Sequence, residues 1–143
     1  MKIVNRSTFL RNLERRLVTA PRKNVRSACL RSANVVRETA VKSISQGVKT
    51  GATTIKYNPR REHTASAAGE PPATDTGFLV NSITSGVVKE GNAFVGEVKA
   101  SAPYAIHLEF GTTRMSARPF FQPALQQNER KIEGIFLQEG VIK

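Results

Sequence analysis

A long amphipathic repeat in the first third of the sequence constrains the fold more than any other feature. Between residues 25 and 48, apolar side chains recur every three or four positions, the spacing that lines one face of an α-helix. The members of this stripe are Val25, Cys29, Ala33 (or Ser32), Val36, Ala40, Ile44 and Val48. The pattern predicts a long helix that ends near Gly47 or Gly51.

A shorter helix is predicted just before it, over residues 8–19, with Ser7 as its N-cap. Its apolar stripe consists of Phe9, Leu10, Leu13 and Leu17. In one continuous helix the two stripes would be centred about 160° apart, so a straight helix could not bury both against the same surface. We therefore predict a kinked N-terminal helix. Its break lies near Thr19–Lys23, and Pro21 stands in the first turn after it, where proline is tolerated.

Residues 50–77 form a long stretch that is poor in apolar residues and contains several Gly and Pro. A segment of this length and composition in a small domain is usually functional, or is disordered until a partner binds. We predict a long, extended and flexible loop that is mobile in the free subunit and becomes ordered, at least in part, on assembly.

The remainder of the chain predicts a small antiparallel sheet with helices packed on it. Two strands are expected, joined by a turn at Glu90-Gly91-Asn92. They span Ile83–Lys89 and Ala93–Ala100. The expected helical segments are Phe78–Ser82, Tyr104–Phe110, which stops at Gly111, and Pro123–Gln138, which is ended by Gly140.

Length and composition fit a single α+β domain over residues 1–143, with enough chain to bury a core without disulfides. Its three parts are a basic helical part (1–50), the flexible loop (50–77), and a sheet with short helices (78–143). The one cysteine cannot form an internal disulfide, which suits a reducing compartment such as the cytoplasm. No apolar run approaches the roughly 20 residues that span a bilayer, so no membrane partner is expected.

The net charge of +11 is concentrated near the N-terminus, where residues 1–50 hold 12 Lys and Arg against two Glu. Such a block implies a polyanionic neighbour, either nucleic acid or an acidic protein surface. The candidate contacts are Arg11, Arg15, Arg22 and Arg26. A solvated helix face is the simpler interpretation. Aromatic residues that could stack on bases are missing there apart from Phe9, so base-specific recognition is not expected.

Catalytic chemistry is poorly supported. Cys29 with His63 or His107 could form a nucleophile–base pair, but Cys29 lies on the apolar stripe, where a buried thiol is ordinary packing. One cysteine and two histidines match no zinc spacing, and the carboxylates are scattered. We predict a protein that is not an enzyme and that needs no cofactor or metal.

The stretch from Tyr104 to Leu125 is dense in Phe, Tyr, Arg and Pro, the residue types that dominate contact energy at protein interfaces. In its simplest interpretation Tyr104, Ile106 and Phe110 face the core in part. The short arm from Arg118 to Phe121 has two competing roles. It packs under its own sheet, or it docks on a neighbouring subunit, in which case Phe120→Ala leaves the subunit's melting temperature unchanged.

Three motifs occur in order along the chain. The first is Ala68-Gly69-Glu70-Pro71-Pro72, leading into Asp75-Thr76-Gly77-Phe78-Leu79 and Ser82-Ile83. The second is Tyr104-Ala105 through Leu108-Glu109-Phe110-Gly111-Thr112. The third is Met115 and Ala117-Arg118-Pro119-Phe120, ending at Pro123-Ala124-Leu125. Together they resemble the tail-completion or head–tail joining proteins of lambdoid-type long-tailed bacteriophages, also described as minor tail or neck proteins.

This resemblance implies an α+β subunit with a long N-terminal helix on a small antiparallel sheet. It also implies a structural virion protein, assembled in the host cytoplasm, that forms a ring, expected to be a hexamer, at the neck. Its implied partners are further copies of itself, the head connector or stopper protein, and the tail terminator or tail-tube protein. DNA in the lumen would make a transient contact.

The residues expected at the assembly interface are Tyr104, Glu109, Phe110, Gly111, Thr112, Arg118, Pro119, Phe120 and Phe121. A small basic protein that binds nucleic acid without sequence specificity is the alternative function.

Overall fold

A computed structural model describes residues 22–57 and 59–142, which form an α+β fold. The helices are α1 (Arg22–Gln46), α2 (Phe78–Ser82), α3 (Ala105–Phe110) and α4 (Phe121–Gln138). The strands are β1 (Thr53–Tyr57), β2 (Arg60–Thr64), β3 (Ile83–Glu90) and β4 (Ala93–Ala100). The predicted helix over 8–19, its Ser7 cap and the kink at Pro21 lie outside the described residues. The fold class predicted from the sequence is confirmed.

Helix α1 buries the face that the apolar repeat predicted. Its buried residues are Ala28, Cys29, Ser32, Ala33, Val36, Ala40 and Ile44. The helix ends at Gln46, and the Gly47 amide still donates to the Ser43 carbonyl at 3.0 Å, so the predicted end near Gly47 is confirmed. Val48 lies past this end and is 75% exposed, so it does not belong to the buried stripe.

The hairpin β3–β4 is the sheet on which α1 packs. The predicted hairpin is confirmed, with Glu90 in β3 rather than in the turn. Its antiparallel register runs from Ile83 opposite Ala100 to Glu90 opposite Ala93. The turn between the strands places Gly91 at φ 59°, a left-handed conformation that favours glycine. In β4, a Cβ atom at Gly96 would lie 2.6 Å from the Cys29 carbonyl oxygen, so glycine permits the close approach of α1.

The core lies between α1, the β3–β4 hairpin and α4. Its buried residues are Val36, Ala40, Ile44, Leu79, Ile83, Ala102, Ala105, Phe120 and Ala124. A smaller cluster near the end of α4 joins Ala28 to Ile135, Val141 and Ile142. Beside it, Arg31 forms an ion pair with Glu139 at 2.7 Å. Helix α4 ends as predicted, with Gly140 at φ 67° after its last turn.

Residues 50–77 are not loop throughout, which corrects the prediction for this segment. Strands β1 and β2 pair antiparallel within it, from Thr53 opposite Thr64 to Tyr57 opposite Arg60. Most side chains of the hairpin are exposed, and neither of its faces is apolar. Alternation in hydrophobicity therefore could not reveal it. The β-branched run Thr53-Thr54-Ile55 was the available signal. The mobility of the segment stays a prediction.

Candidate assembly surface

The three sequence motifs meet at one junction, although the first lies well before the other two along the chain. The Gly69 amide of the first motif donates to the Ala117 carbonyl of the third at 2.9 Å. The Arg118 amide of the third donates to the Leu108 carbonyl of the second at 2.7 Å. Backbone hydrogen bonds therefore hold the third motif between the first motif and α3, which belongs to the second.

Glu109 caps the start of α4 from a different helix. Its carboxylate accepts hydrogen bonds from the Phe120, Phe121 and Gln122 amides at 2.9, 3.0 and 2.8 Å. These amides belong to the first turn of α4, where backbone N–H groups have no partner within the helix and negative charge is favourable. Glu109 is 6% exposed, so its carboxylate is buried within its own subunit. This corrects the expectation from the sequence, which placed Glu109 at the assembly interface.

Gly111 ends α3 in a conformation that requires glycine. Its φ is 74°, and an added Cβ would lie 2.8 Å from both the Met115 carbonyl oxygen and the Ala117 amide nitrogen. The tight loop that follows is closed by the Thr112 amide, which donates to the Met115 carbonyl at 2.8 Å. The motif glycine therefore serves the subunit's own backbone, while Thr112 stays exposed beside it.

Phe120 is a core residue, which corrects its expected place at the interface. The side chain is 1% exposed and belongs to the main core cluster, with the Phe121 ring 4.4 Å away between centroids. Pro119 and Phe121 are half-buried. Of the two roles left open for this arm, the structure shows packing within the subunit. The Glu109 carboxylate accepts a hydrogen bond from the Phe120 amide, which fixes the backbone where the Phe120 side chain is buried.

Helix α3 displays apolar side chains that were expected to face the core in part. Tyr104 is 42% exposed, Ile106 62% and Phe110 61%. Residues four apart share a helix face, so Ile106 and Phe110 present one exposed face while Ala105 and Glu109 are buried. Tyr104 meets Phe78, itself 55% exposed, with ring centroids 6.2 Å apart. We call Phe78, Tyr104, Ile106 and Phe110 the exposed apolar set.

A cleft of about 290 Å³ lies beside two members of this set, Phe78 and Tyr104. Residues 72–80 form much of its wall, with Tyr104, Leu108 and Arg118 from the other two motifs, and His63, Ala65 and Ser66 from the end of β2. Asp75 is held at its edge by ion pairs with Lys56 and with Arg61, the latter at 2.6 Å. These pairs lower the pKa of Asp75, chiefly through the hydrogen bond from Lys56. They also tie the β1–β2 hairpin to the first motif.

Glu70 organises the Gly-Glu-Pro-Pro stretch. Its carboxylate accepts hydrogen bonds from the Thr50 hydroxyl at 2.5 Å, the Thr50 amide at 3.0 Å and the Ala67 amide at 2.8 Å. These bonds, led by that from the Thr50 hydroxyl, lower the pKa of Glu70 from 4.5 to about 2. Nearby, Lys49 donates to the Pro71 carbonyl at 2.8 Å, and burial lowers the pKa of its ammonium group. The motif is thus a hydrogen-bonded turn.

The depressed pKa of Glu70 predicts an acid-sensitive contribution to stability. Because the folded pKa lies below the unfolded one, the contribution is present above about pH 4.5 and is lost as the pH falls toward 2. We expect Glu70→Gln to lower the melting temperature at pH 6–7 and to have little effect near pH 2. Thermal unfolding of both proteins across this range measures the difference, with the exposed Glu62→Gln as control. A difference that is constant with pH would contradict this account.

The arginines of α1 differ in their partners within the subunit. Arg22 donates to the Asn92 side chain at 2.8 Å, and Arg26 is exposed. Arg37 donates to the Ile83 carbonyl at 3.0 Å. Arg11 and Arg15 lie outside the described residues, so their part in a polyanion contact stays a prediction.

Cys29 is buried, and burial raises the pKa of its thiol, as expected of a packing residue rather than a nucleophile. Over residues 22–57 and 59–142, no group of three or more His, Cys, Asp or Glu side chains could hold a metal ion. Within the same residues, no helix combines the length and the apolar character needed to cross a membrane.

Comparison with known proteins gives one family. The family model described as "Bacteriophage HK97-gp10, putative tail-component" matches residues 7–111, about three quarters of the chain. The match includes the first motif and the second as far as Gly111, and it ends before the third. No curated protein and no solved structure matches the chain.

Proposed function

The chain belongs to the HK97-gp10-like family of bacteriophage tail components and so has a structural role in the virion tail. Within that role, we propose that it forms a ring at the neck, which completes the tail and joins it to the capsid connector. Its partners are further copies of itself, the head connector or stopper protein, and the tail terminator or tail-tube protein.

The exposed apolar set is the observation that carries this proposal. Among the described residues, eight large aliphatic or aromatic side chains are buried, whereas eleven are exposed. Four of the eleven are the exposed apolar set around α2 and α3. They form two exposed pairs, Ile106 with Phe110 on one face of α3 and Phe78 with Tyr104 in ring contact. Such exposed apolar side chains mark interaction sites, because leaving them in water forgoes the free energy of burial. A contact between subunits that covers α3 would bury these side chains and recover that free energy.

A closed ring suits a surface of this kind. In a cyclic assembly one patch of each subunit contacts a different patch of the next subunit. Every copy then buries the same two surfaces, and no interface remains exposed to solvent. The expected number is six. The exposed cations Arg22 and Arg26, together with Arg11 and Arg15, would then meet DNA in the lumen or an acidic neighbouring ring.

We expect Ile106→Asp to abolish ring formation while leaving the subunit folded. The side chain is 62% exposed, so the effect of a carboxylate on the unfolding free energy should stay within about 0.5 kcal/mol. At an interface the same charge would be desolvated without a partner, which weakens association strongly. Mass photometry of the purified protein, at equal concentration and without DNA, measures the oligomer.

The matched control is Val48→Asp, which places the same charge on a side chain that is 75% exposed and lies outside the exposed apolar set. It should leave the ring intact. Equal oligomers for wild type and Ile106→Asp would remove α3 from the interface. A wild-type protein that stays monomeric, but assembles on duplex DNA in a salt-dependent way, would instead favour the nucleic-acid-binding alternative.

A further inference from the structure

Arg118 lines the cleft beside α3, and among the described residues its side chain forms no ion pair. Its Nε atom is buried and has no hydrogen-bond partner among the described residues. Its backbone, in contrast, is fixed by the bond from its amide to the Leu108 carbonyl at 2.7 Å. The main chain at Arg118 is therefore fixed, while the Nε donor of its permanently charged side chain is left without an acceptor among the described residues.

A second unpartnered group lies in the same wall. Ser66 is 2% exposed, and its hydroxyl also has no hydrogen-bond partner among the described residues. Buried polar groups are nearly always hydrogen-bonded, because desolvating them without a partner is unfavourable. Two such groups lining one cleft indicate that a ligand with hydrogen-bond acceptors supplies the missing bonds.

We propose that this cleft receives an aspartate or glutamate side chain from a different protein of the virion. The inference rests on the proposed role in joining and names the chemistry of the contact. A planar carboxylate matches the fork of N–H donors on arginine, and it can accept from a serine hydroxyl as well. Apolar residues of the cleft wall outside the exposed apolar set, namely Ala73, Val80 and Leu108, would hold the flanking aliphatic residues of the incoming segment.

The recessed geometry favours a protein side chain over DNA. The Arg118 side chain is half-buried in the wall of a cleft of about 290 Å³, so a group that enters the cleft to meet it must be narrow and must project from its own backbone. A carboxylate at the end of one or two methylenes does so. Phosphates of duplex DNA sit on a broad convex surface and suit exposed cations, such as Arg26 on α1.

Charge favours a different protein over a second copy of this chain. The subunit carries +11, so an acidic partner is attracted to this cleft more strongly than the equally basic surface of a second copy. Several of its own carboxylates are already engaged within the subunit. They are Glu70 with Thr50 and Ala67, Asp75 with Lys56 and Arg61, Glu97 with Lys99, Glu109 with the start of α4, and Glu139 with Arg31.

The first test replaces the guanidinium with a neutral amide, as Arg118→Gln. Because the charge has no counter-ion within the described subunit, we expect the melting temperature to stay equal or to rise, and the ring to form normally. Joining of purified heads to tails completed with this variant should fall on the order of 30-fold or more, as when one partner of a buried charge pair is removed. Arg114→Gln, an exposed arginine four residues earlier, is the matched control and should join normally.

The second test identifies the partner directly. Particles assembled with Arg118→Lys are treated with a zero-length carbodiimide reagent, which couples an amine only to a carboxylate in contact with it. Mass spectrometry should find the introduced lysine joined to an Asp or Glu of another virion protein. Arg114→Lys particles should lack that product.

Several results would overturn the inference. They are a marked drop in the melting temperature of Arg118→Gln, unchanged joining by that variant, no specific cross-link, or a cross-link to a carboxylate of this chain. Weaker binding of duplex DNA by Arg118→Gln, but not by Arg114→Gln, would assign the cleft to phosphate instead. The proposed function is tested separately by the wild-type ring and by its position in the particle, so a failure of one is distinguishable from a failure of the other.

Discussion

Replacing Phe120 with alanine is expected to destabilise the isolated subunit by about 3–5 kcal/mol, the usual cost of truncating a buried phenylalanine. The ring is 1% exposed and belongs to the cluster formed by α1, α2, β3, α3 and α4. Truncation would leave a cavity at the point where these elements meet. In a domain of this size the melting temperature should fall by roughly 10 °C or more.

Phe110→Ala is the matched control, since it removes the same ring from a position that is 61% exposed. It should change the unfolding free energy by no more than about 0.5 kcal/mol and should weaken ring formation instead. Urea unfolding and mass photometry on both variants separate the two roles. If Phe120→Ala kept its melting temperature and lost assembly, the arm would act as the interface anchor that the sequence suggested.

The elements with strong local periodicity could be predicted from the sequence. The apolar repeat of α1, the strands β3 and β4 with the turn at Gly91, and the stop of α4 at Gly140 all depend on residues close together in the chain. Apolar spacing along a helix, the pairing of strands across a short turn, and a glycine with positive φ are all determined by neighbouring residues. The prediction of these elements was therefore accurate to a few residues.

The predictions that failed concern side chains whose surroundings come from distant segments. Whether Phe120 or Phe110 is buried depends on how the arm after Gly111 folds back onto α1, which no local pattern states. Glu109 reaches amides 11 to 13 residues later, a spacing without helical or strand periodicity. The prediction for residues 50–77 missed the β1–β2 hairpin for a different reason. The hairpin buries few side chains on either face, so its sequence carries no apolar alternation.

The family motifs therefore combine two kinds of residue that the sequence alone could not separate. Glu109, Gly111 and Phe120 hold the junction together inside the subunit. Tyr104 and Phe110, from the same motif, remain on the surface. A motif dense in aromatic residues indicates importance, but burial decides whether each ring stabilises the fold or is left for a partner.

Glu109→Ala should produce a loss of stability comparable to that of the Phe120 variant. The substitution leaves three amides at the start of α4 without their acceptor, and each such buried group costs about 1–3 kcal/mol. The Phe121 and Gln122 amides are partly buried, so water can replace some of the lost bonds, and we expect a net loss of about 3 kcal/mol. Urea unfolding of the isolated subunit measures it.

Two further variants make the origin of that loss specific. Glu109→Gln keeps one acceptor oxygen but loses the charge, so its destabilisation should be intermediate, about 1–2 kcal/mol. Glu129→Ala removes an exposed carboxylate from α4 itself and should change the unfolding free energy by no more than about 0.5 kcal/mol. A Glu109→Ala subunit with wild-type stability that no longer forms rings would contradict the capping role. It would return this carboxylate to the interface, where the sequence motif first placed it.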